Sequence, residues 1–281
     1  MSQNPIADPF VEVVDTDALS PLVHLDATPS GVATITLNRP AQRNAFNAEV
    51  IAALNQTLET LEGADGVRVV FLRGAGGTFS AGADLEWMRD AIEKSEDDNR
   101  DDAMQMAIML RRIYELPALT VALVEGAAFG GGAGLVAACD VSLAAHDAKF
   151  AFSEVKLGLV AATISPYVIA AIGPRKARSL FATGRMFDAE EARRIGLVDD
   201  VIGGEAGALA AAAEKLADEV MACAPGALTA SKKLVADVAG RRIDHPLMED
   251  TAHRIARARV GEEGQEGVRA FLAHTKPGWA S

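Results

Sequence analysis

The chain has 281 residues, of which 49% are hydrophobic and 23% charged, and it carries a formal net charge of −12. These values suit a globular protein with a sizeable core, built as one large domain or a domain with an appendage. The acidic balance speaks against nucleic acid and against an anionic membrane surface, since both are bound mainly through cationic contacts to phosphate. A phosphorylated ligand would need a local cationic site working against the overall field. Cys139 and Cys223 cannot build a disulfide framework and lack metal-ligand spacing. Both read as buried small apolar side chains in a reducing compartment. No apolar run reaches the roughly 18 residues of a membrane span. The start, Met1-Ser-Gln-Asn-Pro-Ile-Ala-Asp8, lacks the basic and apolar regions of a signal peptide, so the expectation is a cytoplasmic protein.

Residues 1–21 are punctuated by Pro and Asp and read as a loosely ordered arm. A β-hairpin is predicted from Leu22 through the turn at Pro29-Ser-Gly31 to Val32–Leu37, which is rich in β-branched residues. Asn38-Arg-Pro40 ends it. Asn47 can cap a helix in which Val50, Ile51, Leu54, Leu58 and Leu61 recur at helical spacing. Val67–Leu72 reads as a strand stopped by Gly74-Ala-Gly-Gly77, and Phe79-Ser-Ala-Gly-Ala-Asp84 as a tight loop opening a helix at Leu85. An acidic patch, Glu93–Asp102, leads into a helix predicted over Ala103–Glu115. Then follow a strand at Thr120–Val124, a glycine loop, a helix over Leu135–Ala138 and a strand at Val141–Ala144. This alternation predicts an α/β fold, a winding spiral of strand-strand-helix units with helices covering sheets. Past Gly203-Gly204 the pattern is all helical, with segments near 205–222, 225–239, 246–260 and 264–273. Such a region packs on the α/β part or on a neighbouring subunit. The expected divisions are therefore an arm at 1–21, a core at 22–203 and a helical region at 204–281.

Gly126-Ala-Ala-Phe-Gly-Gly-Gly-Ala-Gly134 places three consecutive glycines at the opening of an apolar, helix-like segment. Free N–H groups at such a terminus suit a developing negative charge. Together with the loop at Phe79–Asp84 it can offer one N–H from each side to a carbonyl oxygen. The alternative is that the glycines merely permit tight strand-to-helix turns. No Lys-Ser/Thr follows them, as a P-loop requires, and Gly-x-Gly-x-x-Gly does not fit a dinucleotide site here. Glu154 lies in an otherwise apolar stretch, where burial would raise its pKa toward neutrality; the competing reading is a solvated strand-end carboxylate. Asp84 and Asp140 read as structural hydrogen-bond acceptors for neighbouring N–H groups. The five histidines lack a nucleophile or metal partner at useful spacing, and no Gly-x-Ser-x-Gly elbow is present. Arg39 and Arg43 form the most suggestive cationic pair for a phosphate.

These motifs resemble a family. Leu37-Asn-Arg-Pro40 with Asn44-Ala45, then Phe79–Asp84, then Gly126-x₃-Gly-Gly-Gly132 with Cys139-Asp140, are similar to the crotonase (enoyl-CoA hydratase/isomerase) superfamily. Thr183-Gly184, Ala189-x₂-Ala192 and Gly196-Leu-Val198 also look like it. The resemblance implies a spiral of ββα units with a helical C-terminal oligomerisation region, forming a homotrimer or a homohexamer. It implies an acyl-CoA thioester as substrate and no cofactor or metal. The oxyanion donors would be the N–H groups of Ala83 and Gly131, with Glu154 as acid/base. Ala41, Gln42, Arg43, Ala81, Asp84 and Leu85 match positions lining the CoA path. Lys276 and Trp279 resemble a C-terminal element that closes over CoA, in some members from another subunit.

Hydratases of the family carry two glutamates that hold and activate water. The second matches Glu154, but the first would fall at position 134, which is Gly. A single carboxylate is typical of the family's Δ3,Δ2-enoyl-CoA isomerases. A narrower resemblance, in Gly130-Gly-Gly-Ala-Gly-Leu-Val136, Ser153–Leu159 and Ala162–Tyr167, is to the bacterial methylglutaconyl-CoA and isohexenylglutaconyl-CoA hydratases, a branch with Gly at the first position. The expectation is therefore a hydratase of a branched 2-enoyl-CoA, with the isomerase and a non-catalytic acyl-CoA-binding scaffold as alternatives. Lys156, Arg89 and Arg175 are candidates for a cation at the far end of a carboxylated acyl group.

Overall fold

The computed structural model describes residues 20–205 and 207–280. Nearly all of the arm expected at 1–21 lies outside them. The hairpin forms as β1 (Val23–Ala27) and β2 (Val32–Leu37), antiparallel, with Val23 opposite Leu37. Onto β2 are added, all parallel, β3 (Val69–Gly74) and β4 (Leu119–Val124). The strand at Ala127–Phe129 is β5, and β6 (Val141–Ala145) pairs with β4. A second, three-stranded sheet joins β5 to β7 (Lys149–Ala151) and β8 (Met186–Asp188). The main sheet ends on β9 (Asp200–Ile202), so its order is β1-β2-β3-β4-β6-β9.

Its central strands are buried on both faces, as a parallel sheet covered by helices requires. Val70 and Leu72 of β3 and Ala122 and Val124 of β4 join one hydrophobic cluster, while Val69, Phe71, Val121 and Leu123 join another. That is the period-two alternation of a strand. The first cluster includes α1 (Ala48–Glu62), α3 (Glu96–Glu115), α4 (Gly131–Ala138) and α5 (Ser165–Thr183). The second is closed by α7 (Ala208–Met221), whose Ala213, Ala217 and Val220 share one face. The remaining helices are α2 (Leu85–Glu93), α6 (Ala189–Ile195), α8 (Pro225–Val238), α9 (His245–Val260) and α10 (Glu262–Leu272). Asn47 caps α1 through Val50 N–H at 3.0 Å.

Two elements differ from the sequence reading. Helix α3 starts at Glu96 instead of Ala103: Ser95 caps it through Asp98 N–H, and Glu96, Asp97 and Asp98 place their charge at the positive end of the helix dipole. Most of the acidic patch thus forms the opening of a helix, residues 96–102 of α3. Helix α4 begins at Gly131, inside the glycine run. Cys139 is largely buried, and burial beside the Asp140 charge pushes its thiol pKa up. Cys223 is exposed, because it follows the last turn of α7, where its Sγ reaches only Glu219 O.

The C-terminal helices are anchored at the N-terminal ends of the parallel strands. Asp140 accepts from Thr120 N–H at 2.8 Å, from Thr120 Oγ1 and from Lys232 Nζ of α8. Arg68, the residue before β3, donates to the carbonyls of Met221 and Trp279. The opposite, C-terminal ends of the strands are left to the loops, where open parallel sheets bind their ligands. Asp140→Ala leaves the Thr120 N–H without its acceptor, and the expected cost is about 2 kcal/mol, measured as a lower urea midpoint.

Candidate active site

The site is built where two loops lie flush. Phe79 N–H donates to Glu125 O, Ser80 N–H to Ala127 O and Phe129 N–H to Ser80 O, at 2.9–3.0 Å, so the loop after β3 runs as an extra strand beside β5. Glycine permits the approach. A Cβ on Gly82, which has φ +91°, would fall 2.8 Å from Phe129 O, and one on Gly132 would fall 2.8 Å from Ser80 O.

A third segment locks this pair. Asn44 is buried; its amide donates to Ala75 O and Thr78 O, and its Oδ1 accepts from Arg39 N–H. Ser80 Oγ donates to Asn44 O. Arg39 pairs with Asp84 at 3.0 Å and also donates to Ala45 O. Burial alone would raise the pKa of Asp84, but the Glu86 and Trp87 N–H groups and the Arg39 guanidinium hold it below its ordinary value. Asp84 caps α2 and ties two loops together. Its carboxylate accepts from Arg39 and from the N–H groups at the helix end, and Arg39 is committed to it instead of to a phosphate.

Ala83 and Gly131 follow the two glycines that meet at this joint, where a Gly82 Cβ would fall 3.8 Å from Gly130 N. Among the described residues neither N–H has a hydrogen-bond partner. Gly131 opens α4, whose dipole adds positive potential at that N–H. Glu154 starts a single 3₁₀ turn, Glu154–Leu157, and its Oε1 lies 3.2 Å from where a Gly130 Cβ would stand. Its Oε2 is buried and has no hydrogen-bond partner among the described residues. Burial therefore pushes the Glu154 pKa up, opposed only by its own N–H. A carboxylate whose charged form is disfavoured thus stands against Gly130, one residue before the unpaired Gly131 N–H.

Gly134 is one turn further along α4, and Ile164 fills the space in front of it. A Cβ there would overlap Ile164 Cγ2 and lie 2.7 Å from Ile164 Cβ. No glutamate fits at 134 with Ile164 in place. Nothing in the residue spacing signalled this contact. Met106 of α3 is likewise a site residue that sequence reasoning missed: its methyl group packs on Gly131, and its sulfur takes a 3.9 Å contact from Thr163 Oγ1.

The other expected residues divide in two. Ala41, Gln42 and Arg43 form an exposed turn that joins the site through Ala81 N–H, which donates to Arg43 O at 2.9 Å. Leu85 is exposed at the start of α2. Lys276 and Trp279 are elsewhere in the chain. Trp279 packs on Gly267 of α10 and its carbonyl is held by Arg68, at the N-terminal end of β3 and about 20 Å of strand away from the site. No helix of the described residues is long and apolar enough to cross a membrane.

The chain belongs to the enoyl-CoA hydratase/isomerase family, whose profile matches residues 27–281. It is 37% identical over 248 residues to a putative enoyl-CoA hydratase of Thermus thermophilus, covering 88% of this chain and 96% of that one. It is 32% identical to the 1,2-epoxyphenylacetyl-CoA isomerase of Escherichia coli, covering 88% and 94%. Among solved structures, a putative enoyl-CoA hydratase/isomerase (crotonase) from Legionella pneumophila superposes with a TM-score of 0.87 at 40% identity, covering 92% of this chain and 98% of that one. The crotonase fold expected from the motifs is the fold observed.

Two outcomes follow from the site geometry. Gly134→Ala drives a methyl group into Ile164 and is expected to cost about 1–3 kcal/mol in a denaturant titration. Glu154→Gln removes a buried charge whose folded pKa is raised, so the native state favours the protonated form. The variant is expected to melt above the parent at neutral pH, and the gap should close as pH falls below the ordinary glutamate range.

Proposed function

We propose that this protein adds water across the double bond of a 2-enoyl-CoA. The observation that carries the reading is the Glu154 carboxylate, partly buried against Gly130 beside the unpaired N–H groups of Ala83 and Gly131. The thioester oxygen accepts from both N–H groups. Glu154 takes a proton from water while the water oxygen bonds to C3, and the electron pair of the double bond moves onto the thioester oxygen as an enolate. The protonated Glu154 then returns its proton to C2. Each preorganised donor is worth about 3–4 kcal/mol to such an oxyanion, and the positioned acid/base contributes about 10²–10⁴-fold.

The CoA moiety passes the turn at Ala41–Arg43 with Ala81, Asp84 and Leu85. Lys276 and Trp279 close over a CoA held by another subunit. Exposed apolar side chains on the C-terminal helices, among them Ile255, Val260, Phe271 and Leu272, support a homotrimer or a dimer of trimers. A branched glutaconyl thioester, such as 3-methylglutaconyl-CoA, is the proposed acyl class. Lys156, Arg89 and Arg175 are exposed and have no ion-pair partner among the described residues, which leaves them available to a distal carboxylate.

A second reading has its own support. Ile164 occupies the space of a second carboxylate, and a lone base suffices for moving a proton between C2 and C4 in a 3-enoyl-CoA. Incubation with 3-methylglutaconyl-CoA, crotonyl-CoA and a 3-enoyl-CoA, with products identified by mass and chromatography, separates the readings. Water addition is expected. Double-bond migration alone establishes the isomerase, and CoA binding without turnover a scaffold. Glu154→Gln is expected to lower kcat at least about 10²-fold with little change in CoA affinity. In the parent, the acid limb of the kcat/KM profile should lie above the usual carboxylate range, because burial raises the group that must start ionised.

A further inference from the structure

We infer that Phe46 is a positioning residue that holds the two oxyanion donors as one unit. The inference rests on the assignment of Ala83 and Gly131 as those donors. Phe46 is fully buried and bonds to both residues that flank Ala83. Its N–H donates to Gly82 O at 2.8 Å, and its carbonyl accepts from Asp84 N–H at 2.8 Å. Phe46 and Ala83 thereby pair as an isolated parallel bridge.

The first of these bonds sets the direction of the Ala83 N–H. Gly82 C=O and Ala83 N–H belong to the same peptide unit, which is trans, so the two groups point in opposite directions. Drawing the Gly82 oxygen toward Phe46 turns the Ala83 N–H to the opposite side, away from Phe46 N. A rotated peptide would present a carbonyl oxygen to the thioester and repel the developing charge.

The side chain of Phe46 acts on the other donor. Its ring carbons Cδ2 and Cε2 lie 3.3 and 3.5 Å from where a Gly131 Cβ would stand, so the ring backs the first residue of α4. The Gly130–Gly131 peptide is also oriented, since Gly130 O accepts from Gly134 N–H at 3.0 Å and Gly131 N–H points out of the helix end. The main chain of one residue thus aims one donor, and its ring seats the other. Asn44, two residues earlier, anchors the segment from the opposite side.

A structural role alone and a positioning role predict different readouts. A conjugated dienoyl thioester such as 2,4-hexadienoyl-CoA absorbs further to the red when its carbonyl is polarised, so its bound spectrum reports the donors directly. With the full-length parent protein, a red shift on binding is expected. Phe46→Leu keeps a buried apolar group and the backbone bonds but withdraws the ring from Gly131. It should reduce the red shift and lower kcat by about 10-fold or more, while the dissociation constant of the dienoyl-CoA changes less than about threefold, since a displacement near 1 Å can cost about 10²-fold. Phe71→Leu, in the core under α7, should lower the melting temperature and leave spectrum and kcat unchanged. A Phe46→Leu protein with the full red shift and full kcat overturns the inference, as does one whose kcat falls with the red shift intact. If the parent itself binds the dienoyl-CoA without a red shift, the oxyanion assignment fails first.

Discussion

The joint between the two glycine-bearing loops depends on a backbone ladder that side chains would prevent. The segment Phe79–Gly82 lies within hydrogen-bonding distance of Glu125–Phe129, and α4 starts against Ser80, because Gly82 and Gly132 present no Cβ where the chains touch. Parallel strands can be brought this close by their own bonds, but here the pairing continues beyond the sheet, where the chain must turn into helices on both sides. Asn44, Arg39 and Asp84 supply what the sheet no longer does. Their bonds join three loops that are distant in sequence, and they are largely shielded from water, where each is stronger than at the surface.

Two carboxylates near this joint have opposite environments, and the contrast separates scaffold from chemistry. Asp84 is surrounded by donors, so burial is outweighed and the charged form is favoured. Glu154 is desolvated with one oxygen unpartnered, so its charge is disfavoured. Environments that push two carboxylates apart in this way fit the proposed division, in which the ionised group serves architecture and the labile one moves the proton. The arrangement carries a thermodynamic penalty at Glu154 that a purely structural residue would have no reason to retain.

Much of this was legible in the residue order because its signals are local. The hairpin, the Asn47 cap and the glycine-opened helix each depend on neighbours within a turn or two. The motif at Phe79–Asp84 likewise predicts a loop that hands over to a helix. What escaped depends on contacts between remote segments. Arg39 resembled a phosphate ligand because its partner Asp84 lies 45 residues away. Phe46 looked like any apolar residue after an Asn-Ala pair, and Ile164 gave no sign that it would close on Gly134. The start of α3 was misjudged for a different reason: an acidic run reads as a solvated loop unless the positive end of a helix is counted among its partners. Lys276 and Trp279 match a motif, but the path of the C-terminal helices takes them to the far end of the sheet within their own chain.

The Ile164 side chain over Gly134 also bears on stereochemistry. With the second carboxylate position closed, the proposed reaction has proton traffic on one side of the flat acyl group, the side that faces Glu154. The same carboxyl group accepts the proton from water and delivers one to C2, so oxygen and hydrogen reach the double bond from the same face. Hydration at this site would thus be a syn addition, and the three-dimensional outcome would follow from where an isoleucine methyl rests on a glycine.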